Sequence, residues 1–368
     1  MKSTAKNQKQ EFETVLVLQG GGSLGAYECG VYKTLHKHKI KFDIVAGTSI
    51  GGINAAIIAG SKNNEPAKDL EDFWLTLAET VTASFLDDKS RAFLSSMYSA
   101  MWGNSKVFQP IWFTPNAFNF LYNYPYLYDI SPLKNTLKEY VDFDKLKNPD
   151  RPRLIVTSTD IQSGKSSVFD SKHDNITAEH ILASAGYPFY GISWTKIDDR
   201  YLWDGTLLSN TPLTEVIDAS PKCDKRVFIV NLFPHTQEEI PKNMIEAWHR
   251  ARDIMHTDKT DHTVRMSKAI SSYLEMLKEM HDIIMENFDA EKLDEKSKES
   301  FKKIEPKYHK FAVERGAVIK EIIRIERQED MHFLFEDADF SSGTIKQLIQ
   351  NGEKDAENAL AKILVDKT

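Results

Sequence analysis

The chain is poor in cysteine: Cys29 and Cys223 are its only two thiols in 368 residues. Two cannot build a disulfide framework or a cysteine-based zinc site, so a reducing compartment is compatible. There is no basic excess. Lys and Arg number 47 against 54 Asp and Glu, a formal net charge of −7, which argues against a dedicated nucleic-acid binder. Long apolar runs are also missing. The uncharged stretch 44–61 is broken by glycines, and 107–128 is interrupted by Pro110, Pro115 and Pro125, so neither reads as a membrane span. The polar N-terminus carries Lys2, Lys6 and Lys9 with no apolar segment behind them, so no secretory signal is expected. These absences point to a cytoplasmic globular protein and leave open peripheral contact with a membrane surface.

What is present follows an α/β pattern. The run 14–19 (TVLVLQ) predicts a buried strand, which enters a glycine cluster at 20–25. Ala26, Val31 and Leu35 follow helical spacing. A second apolar run at 42–46, a glycine turn at 47–51 and a small-residue helix at 53–59 come next. This β–loop–α–β–turn–α opening implies an α/β fold with a mostly parallel central sheet. Further strands are expected at 154–158, 166–169 and 227–231. Residues 65–145 read as a helical insertion. Beyond Pro241, Met266, Ile270, Tyr273, Leu277, Ile284 and Phe288 keep helical spacing. Residues 289–310 read as a charged connector, and 317–325 as a strand or short helix. Ser341 or Ser342 can cap a helix over 345–350, and Asn351-Gly352 predicts a turn before a last helix.

The sharpest chemical signal is Gly47-Thr48-Ser49-Ile50-Gly51, a G-x-S-x-G between strand and helix. Such a turn presents a serine hydroxyl as a nucleophile, and the helix N-terminus behind it favours developing negative charge. The loop Gly20-Gly21-Gly22-Ser23-Leu24-Gly25 also fits a dinucleotide fingerprint. That reading needs an acidic residue ending the second strand, and Asp43 precedes the strand instead. Beside a nucleophile, successive glycines offer unobstructed N–H donors for an oxyanion, with Gly21 and Gly22 the candidates and Ile50 a contributor. Asp204-Gly205 ends the apolar run Tyr201-Leu202-Trp203 and places a carboxylate on a turn, where it can serve the serine as base. His235 and His249 stay open as bases in the usual Ser, Asp, His order. No metal site stands out: His256, Asp258, Asp261 and His262 come closest and read as a solvated helix surface.

The ordered motifs GGGSLG, GTSIGG, and DG followed by Asn210-Thr211-Pro212-Leu213, with Ala183-Ser184-Ala185-Gly186-Tyr187-Pro188 between, resemble the patatin-like phospholipase family over about residues 14–215. The resemblance implies a three-layer α/β/α fold with helical insertion and helical C-terminal extension. It implies a Ser–Asp dyad without histidine, no cofactor or metal, and phospholipid or other acyl-ester lipid as substrate. Carried over, Ser49 is the nucleophile, Asp204 its base, Gly21 and Gly22 the oxyanion donors, and Gly20, Gly25, Gly47, Gly51 and Gly205 the motif residues. Two departures are Leu24, where many relatives carry Arg or Lys, and Thr206, where many continue DGG or DGA. The expected organisation is a polar tail at 1–13, a catalytic domain at 14–235 and a mostly helical extension at 236–368.

The expected activity is hydrolysis of fatty-acyl esters of phospholipids or lysophospholipids. The alternatives are acyl transfer through the same acyl-serine, or a catalytically silent lipid-binding or scaffold protein. Phe93, Tyr98, Trp102, Phe108, Trp112, Phe113, Phe118, Phe120, Tyr122, Tyr124, Tyr126 and Tyr128 concentrate twelve aromatics in the insertion, where the chain-wide share is 11%. They are expected to line the acyl chain and face the membrane, or to pack on the sheet as a cap.

Overall fold

The computed structural model describes residues 12–83, 85–113, 125–237, 240–286, 294–328 and 336–365. Strand β1 (Glu13–Leu18) leads through the glycine loop into helix α1 (Gly25–Lys37). Strand β2 (Ile44–Thr48) runs directly into α2 (Ile50–Ala59). The insertion supplies α3 (Pro66–Leu77), α4 (Asp88–Trp102), the two-residue strands β3 (Gln109–Pro110) and β4 (Tyr128–Asp129), and α5 (Pro132–Tyr140). Then come β5 (Arg153–Asp160), β6 (Ser166–Asp170), α6 (Ala178–Ala185), β7 (Thr195–Ile197) and β8 (Arg200–Asp204). The chain continues through α7 (Leu213–Ala219), β9 (Lys225–Asn231), α8 (Met244–Glu286), α9 (Glu295–Tyr308), β10 (Ile319–Glu326) and α10 (Ser342–Val365).

The central sheet has the order β10-β9-β1-β2-β5-β8-β7, with β6 also paired to β5. From β10 to β5 every pairing is parallel; β6, β7 and β8 add antiparallel partners. Side chains alternate across a strand, so parity sorts the core. Leu16, Leu18, Val45, Phe228 and Val230 join one apolar cluster with α1, α2, α3 and α10. Val15, Val17, Ile44, Ala46, Val227 and Ile229 join a second with Leu213, Val216 and Val264 from α7 and α8. The two clusters flank one sheet, and the fold is three-layered α/β/α, as the family resemblance implies.

The register brings two distant motifs together. Strand β2 follows β5 up to Thr48, opposite Thr157, and then leaves it. Strand β6 occupies the other edge of β5, so β8 takes the edge that β2 vacates, with Asp204 opposite Ser158. The last residue of β8 therefore lies beside the first residue after β2.

Two expectations change, and one open alternative is decided. Asn351-Gly352 is not a turn; α10 runs unbroken from Ser342 to Val365. A Cβ at Gly352 would collide with the Tyr27 carbonyl, and one at Gly30 with the Ile349 carbonyl. The glycines let the α1 and α10 backbones touch, which local turn chemistry does not reveal. The charged connector holds helix α9, capped by Asp294, whose side chain accepts from the Ser297 N–H at 2.7 Å; residues 287–293 lie outside the described residues. The segment after Ala317 settles as strand β10, because the exposed edge of β9 offers parallel pairing. Among the described residues no helix is long and apolar enough to cross a membrane.

Candidate active site

Ser49 sits between β2 and α2 with φ 55° and ψ −124°. That conformation is unfavourable for a residue bearing a Cβ, costing on the order of 1–3 kcal/mol, and persists where surroundings over-determine it. Here they do. A Cβ at Gly47 would collide with the Gly51 carbonyl, and one at Gly51 with the Leu18 carbonyl. The turn closes only with glycine at both positions of the G-x-S-x-G. The Ser49 N–H donates to Ser184 Oγ at 2.9 Å, and Thr48 Oγ1 lies 2.6 Å from Thr157 Oγ1. These contacts fix both sides of the turn.

Asp204 is 1% exposed. Its main chain is held by the Gly186 carbonyl at 3.0 Å and by Thr159 Oγ1 at 3.0 Å. The Thr206 N–H donates to Oδ1 at 2.7 Å, while Oδ2 has no hydrogen-bond partner within normal geometry. Burial pushes the carboxyl up to about 6, opposed by hydrogen bonding from Ser49 and Thr206. The Ser49 hydroxyl thus acts on this carboxylate from nearby, although the pair does not meet the geometry of an ordinary hydrogen bond. Catalytic hydrogen bonds often stand this way before substrate binds.

The glycine loop lies against the same serine. A Cβ at Gly20 would come 3.0 Å from Ser49 Cβ. Asn210 clamps Gly20 from both sides: Gly20 N–H donates to Oδ1 at 3.0 Å, and Nδ2 donates to the Gly20 carbonyl at 3.2 Å. Thr206 Oγ1 donates to Asn210 Oδ1 at 3.1 Å, joining the loop to the Asp204 turn. Thr206, a departure from the common DGG, is thus part of the scaffold. Among the described residues the N–H groups of Gly21 and Gly22 donate to no acceptor. Gly22 has φ 57°, and a Cβ there would collide with the Asp337 carbonyl. Leu24, the other departure, is buried in the apolar cluster under α1.

Behind the loop stands a buried charged cluster that the sequence reading missed. Ser23 Oγ donates to the Glu336 carbonyl at 2.9 Å. Arg252 from α8 reaches Glu336 at 3.1 Å, Asp253 at 3.0 Å and Asp337 at 3.4 Å. Arg327 reaches Glu336 at 3.0 Å, and the Tyr190 hydroxyl donates to Asp337 at 2.7 Å. Burial holds the Asp337 carboxyl above its usual range, with Arg252 opposing. The residues after 235 therefore seat the glycine loop.

The histidines lie elsewhere. His235 pairs with Asp261 at 3.2 Å, and buried His249 with Asp253 and Glu336, both at 3.3 Å. No histidine is among the groups that perturb Asp204. His256 is buried and stacked on Phe233, and burial drives its pKa down to about 3. It is therefore not the solvated residue expected from sequence. Asp261 binds Arg324 at 2.6 Å. Among the described residues no cluster of His, Cys, Asp or Glu is arranged to hold a metal ion. Asp43 accepts from the Thr14 N–H at 2.8 Å at the start of β1, the opposite end of the sheet from the glycine loop, which removes the dinucleotide reading.

The family model described as "Patatin-like phospholipase" matches residues 16–217, more than half of the chain. The chain belongs to the patatin-like phospholipase family. Within this family of lipid acyl hydrolases, it is 24% identical over 247 residues to the cGAMP-activated phospholipase of Escherichia coli, covering 59% of this chain and 61% of that one. It is 25% identical over 219 residues to the cGAMP-activated phospholipase of Vibrio cholerae, covering 54% and 55%. A 64-residue stretch is 41% identical to the triacylglycerol lipase SDP1L of Arabidopsis thaliana, covering 17% of this chain and 8% of that one. The matches thus span less than two thirds of each of these relatives. Among solved structures, VipD from Legionella pneumophila overlays with TM-score 0.39 and 11% identity, covering 96% of this chain and 67% of that one.

The aromatic insertion divides. Phe118, Phe120, Tyr122 and Tyr124 lie outside the described residues. Phe108 and Trp112 pack edge-on to Tyr128 at 5.4 and 5.3 Å, and Tyr126 edge-on to Trp194 at 5.9 Å. Phe93 and Trp102 on α4 are 52% and 55% exposed.

Proposed function

We propose that the protein is a serine acyl hydrolase that cleaves fatty-acyl esters of phospholipids or lysophospholipids through Ser49 and Asp204. The observation that carries this reading is the open, buried Oδ2 of Asp204 beside a serine held on a strained turn. A carboxylate raised to about 6 is ionised at neutral pH yet more basic than an exposed aspartate. Ser49 Oγ attacks the ester carbonyl carbon as its proton passes to Asp204 Oδ2. The tetrahedral oxyanion accepts from the Gly21 and Gly22 N–H groups, a stabilisation of about 3 kcal/mol per donor in comparable sites. Collapse breaks the ester C–O bond, and the leaving oxygen takes the proton from Asp204. Water then attacks the acyl-serine with Asp204 again as base, releasing the fatty acid and restoring Ser49.

This reading assigns catalysis to residues 14–235, with residues 236–368 bracing the oxyanion loop through Glu336 and Asp337. The test is product analysis by mass spectrometry after incubating wild type and Ser49→Ala with mixed phospholipid vesicles. Fatty acid and lysophospholipid are expected from wild type alone. Equal release by Ser49→Ala would reject the assignment.

A further inference from the structure

The second half of α8 has two unlike faces. Val264, Ser267 and Ser271 are buried against the chain's own domain. Away from them, Met266, Ile270, Tyr273, Leu277, Met280 and Ile284 are between 38% and 67% exposed. Their spacing alternates four and three residues throughout, the a/d repeat of a coiled-coil seam. From Met266 to Ile284 the stripe is about 27 Å long at 1.5 Å per residue. A continuous apolar stripe marks an interaction surface, unlike single apolar residues scattered over a surface.

Two features select what covers it. The spacing reads the same in both directions: turned end for end at the level of Glu275, Met266 falls on Ile284, Ile270 on Met280 and Tyr273 on Leu277. The charges are also polarised along the helix. Arg265 and Lys268 stand exposed at one end, Glu279, Asp282 and Glu286 at the other. Between them, Glu275 is neutralised by Lys320 at 2.8 Å and Lys278 is held by the Gly316 carbonyl at 2.6 Å. An antiparallel pair sets the basic end of one copy beside the acidic end of the other, whereas a parallel pair sets like against like. An anionic bilayer fits poorly, since interfacial helices flank their apolar face with Lys and Arg rather than acids.

We propose that two copies of this chain pair through the stripe, antiparallel, about a two-fold axis at the level of Glu275. Such an interface is self-complementary: each residue meets its mirror position on the partner copy. The seam residues already stand in water, so charging one leaves the folded monomer intact.

Light scattering on the full chain, together with vesicle flotation, tests this. Wild type should show twice the 42.0 kDa chain mass. Leu277→Glu should fall to one chain mass with unchanged circular dichroism. Orientation is read by cross-linking in a Cys223→Ser background. Met266→Cys protein mixed with Ile284→Cys protein should give a disulfide-linked dimer, and neither alone should. A monomeric wild type, or a dimer indifferent to Leu277→Glu, would overturn the proposal. So would a monomer whose vesicle binding is lost in Leu277→Glu, which would assign the stripe to a lipid surface. Cross-linking of Met266→Cys protein with itself would overturn the antiparallel arrangement.

Discussion

The turn carrying Ser49 and the second half of α8 satisfy opposite rules with similar residues. Around the turn, Ile50, Ile53, Ala56 and Ile57 are buried, and the glycine positions are dictated by backbone contact. Along α8, Met266, Ile270, Leu277 and Ile284 stand in water at spacing just as regular. In the first region the apolar pattern closes within the chain, and a buried acceptor left open there, Asp204 Oδ2, is the one that the proposed reaction would use. In the second the pattern does not close within the chain. An incomplete contact therefore has different meanings: a buried open acceptor points to chemistry, an exposed apolar seam to association.

Mutations can break this comparison by crossing over in effect. Ser49→Ala should lower lipid hydrolysis by about 10⁴-fold or more while leaving the oligomeric mass unchanged. A steady-state assay beside light scattering reads both. Asp204→Asn should match that loss, because nucleophile and base act as one unit.

Asp204→Asn should also move stability in a pH-dependent way. The folded carboxyl binds its proton up to about pH 6, the unfolded one only up to 3.8. Between those values the folded state holds more protons, so this residue's contribution to stability falls as pH rises, by about 3 kcal/mol in all. Asp204→Asn should therefore melt higher than wild type at pH 8 and show little gain below pH 4, as scanning calorimetry would reveal. Wild-type activity should fall on acidification through about pH 6, as the base protonates.

Gly22→Ala should cost about 10²-fold in kcat, since a side chain at φ 57° pushes against the Asp337 carbonyl and turns an oxyanion donor. Fatty-acid binding should change less than kcat; a loss confined to binding would make the loop a plain substrate contact. Arg252→Leu leaves buried Glu336, Asp337 and Asp253 without that cation, so it should destabilise the fold by about 3–5 kcal/mol in denaturant titration. The smallest effect is expected for Trp102→Ser with Phe93→Ser. Vesicle hydrolysis should drop several-fold while a short soluble ester is cleaved at the wild-type rate, because only the vesicle requires interfacial contact.

The chemistry was more legible in the sequence than its support. Ser49 and the glycine loop show in the sequence through short spacings and strand–turn–helix context, whereas Asp204-Gly205 gains its role only from the ordered set of motifs in the family resemblance; the structure brings all three together. Ser184 and Asn210 sit in segments visible as motifs, but their parts depend on contacts spanning 135 and 190 residues, which no local pattern carries. Glu336 and Arg252 had no signal at all: they read as two more charges in a charged C-terminal half. Gly352 was misleading, since Asn-Gly ordinarily turns a chain and here lets two helices touch. Helix α9 carries its helical spacing only in Phe301, Ile304 and Tyr308 among many charges, and that spacing and the cap at Asp294 were the signals left unread.

The most direct test of the central claim is covalent trapping. Wild type, Ser49→Ala and Asp204→Asn are each treated with a fluorophosphonate, and the adduct is located by peptide mass spectrometry. One adduct is expected on Ser49 in wild type, none on Ser49→Ala, and greatly slowed labelling of Asp204→Asn. An adduct on another serine in wild type, or undiminished labelling of Asp204→Asn, would contradict the account.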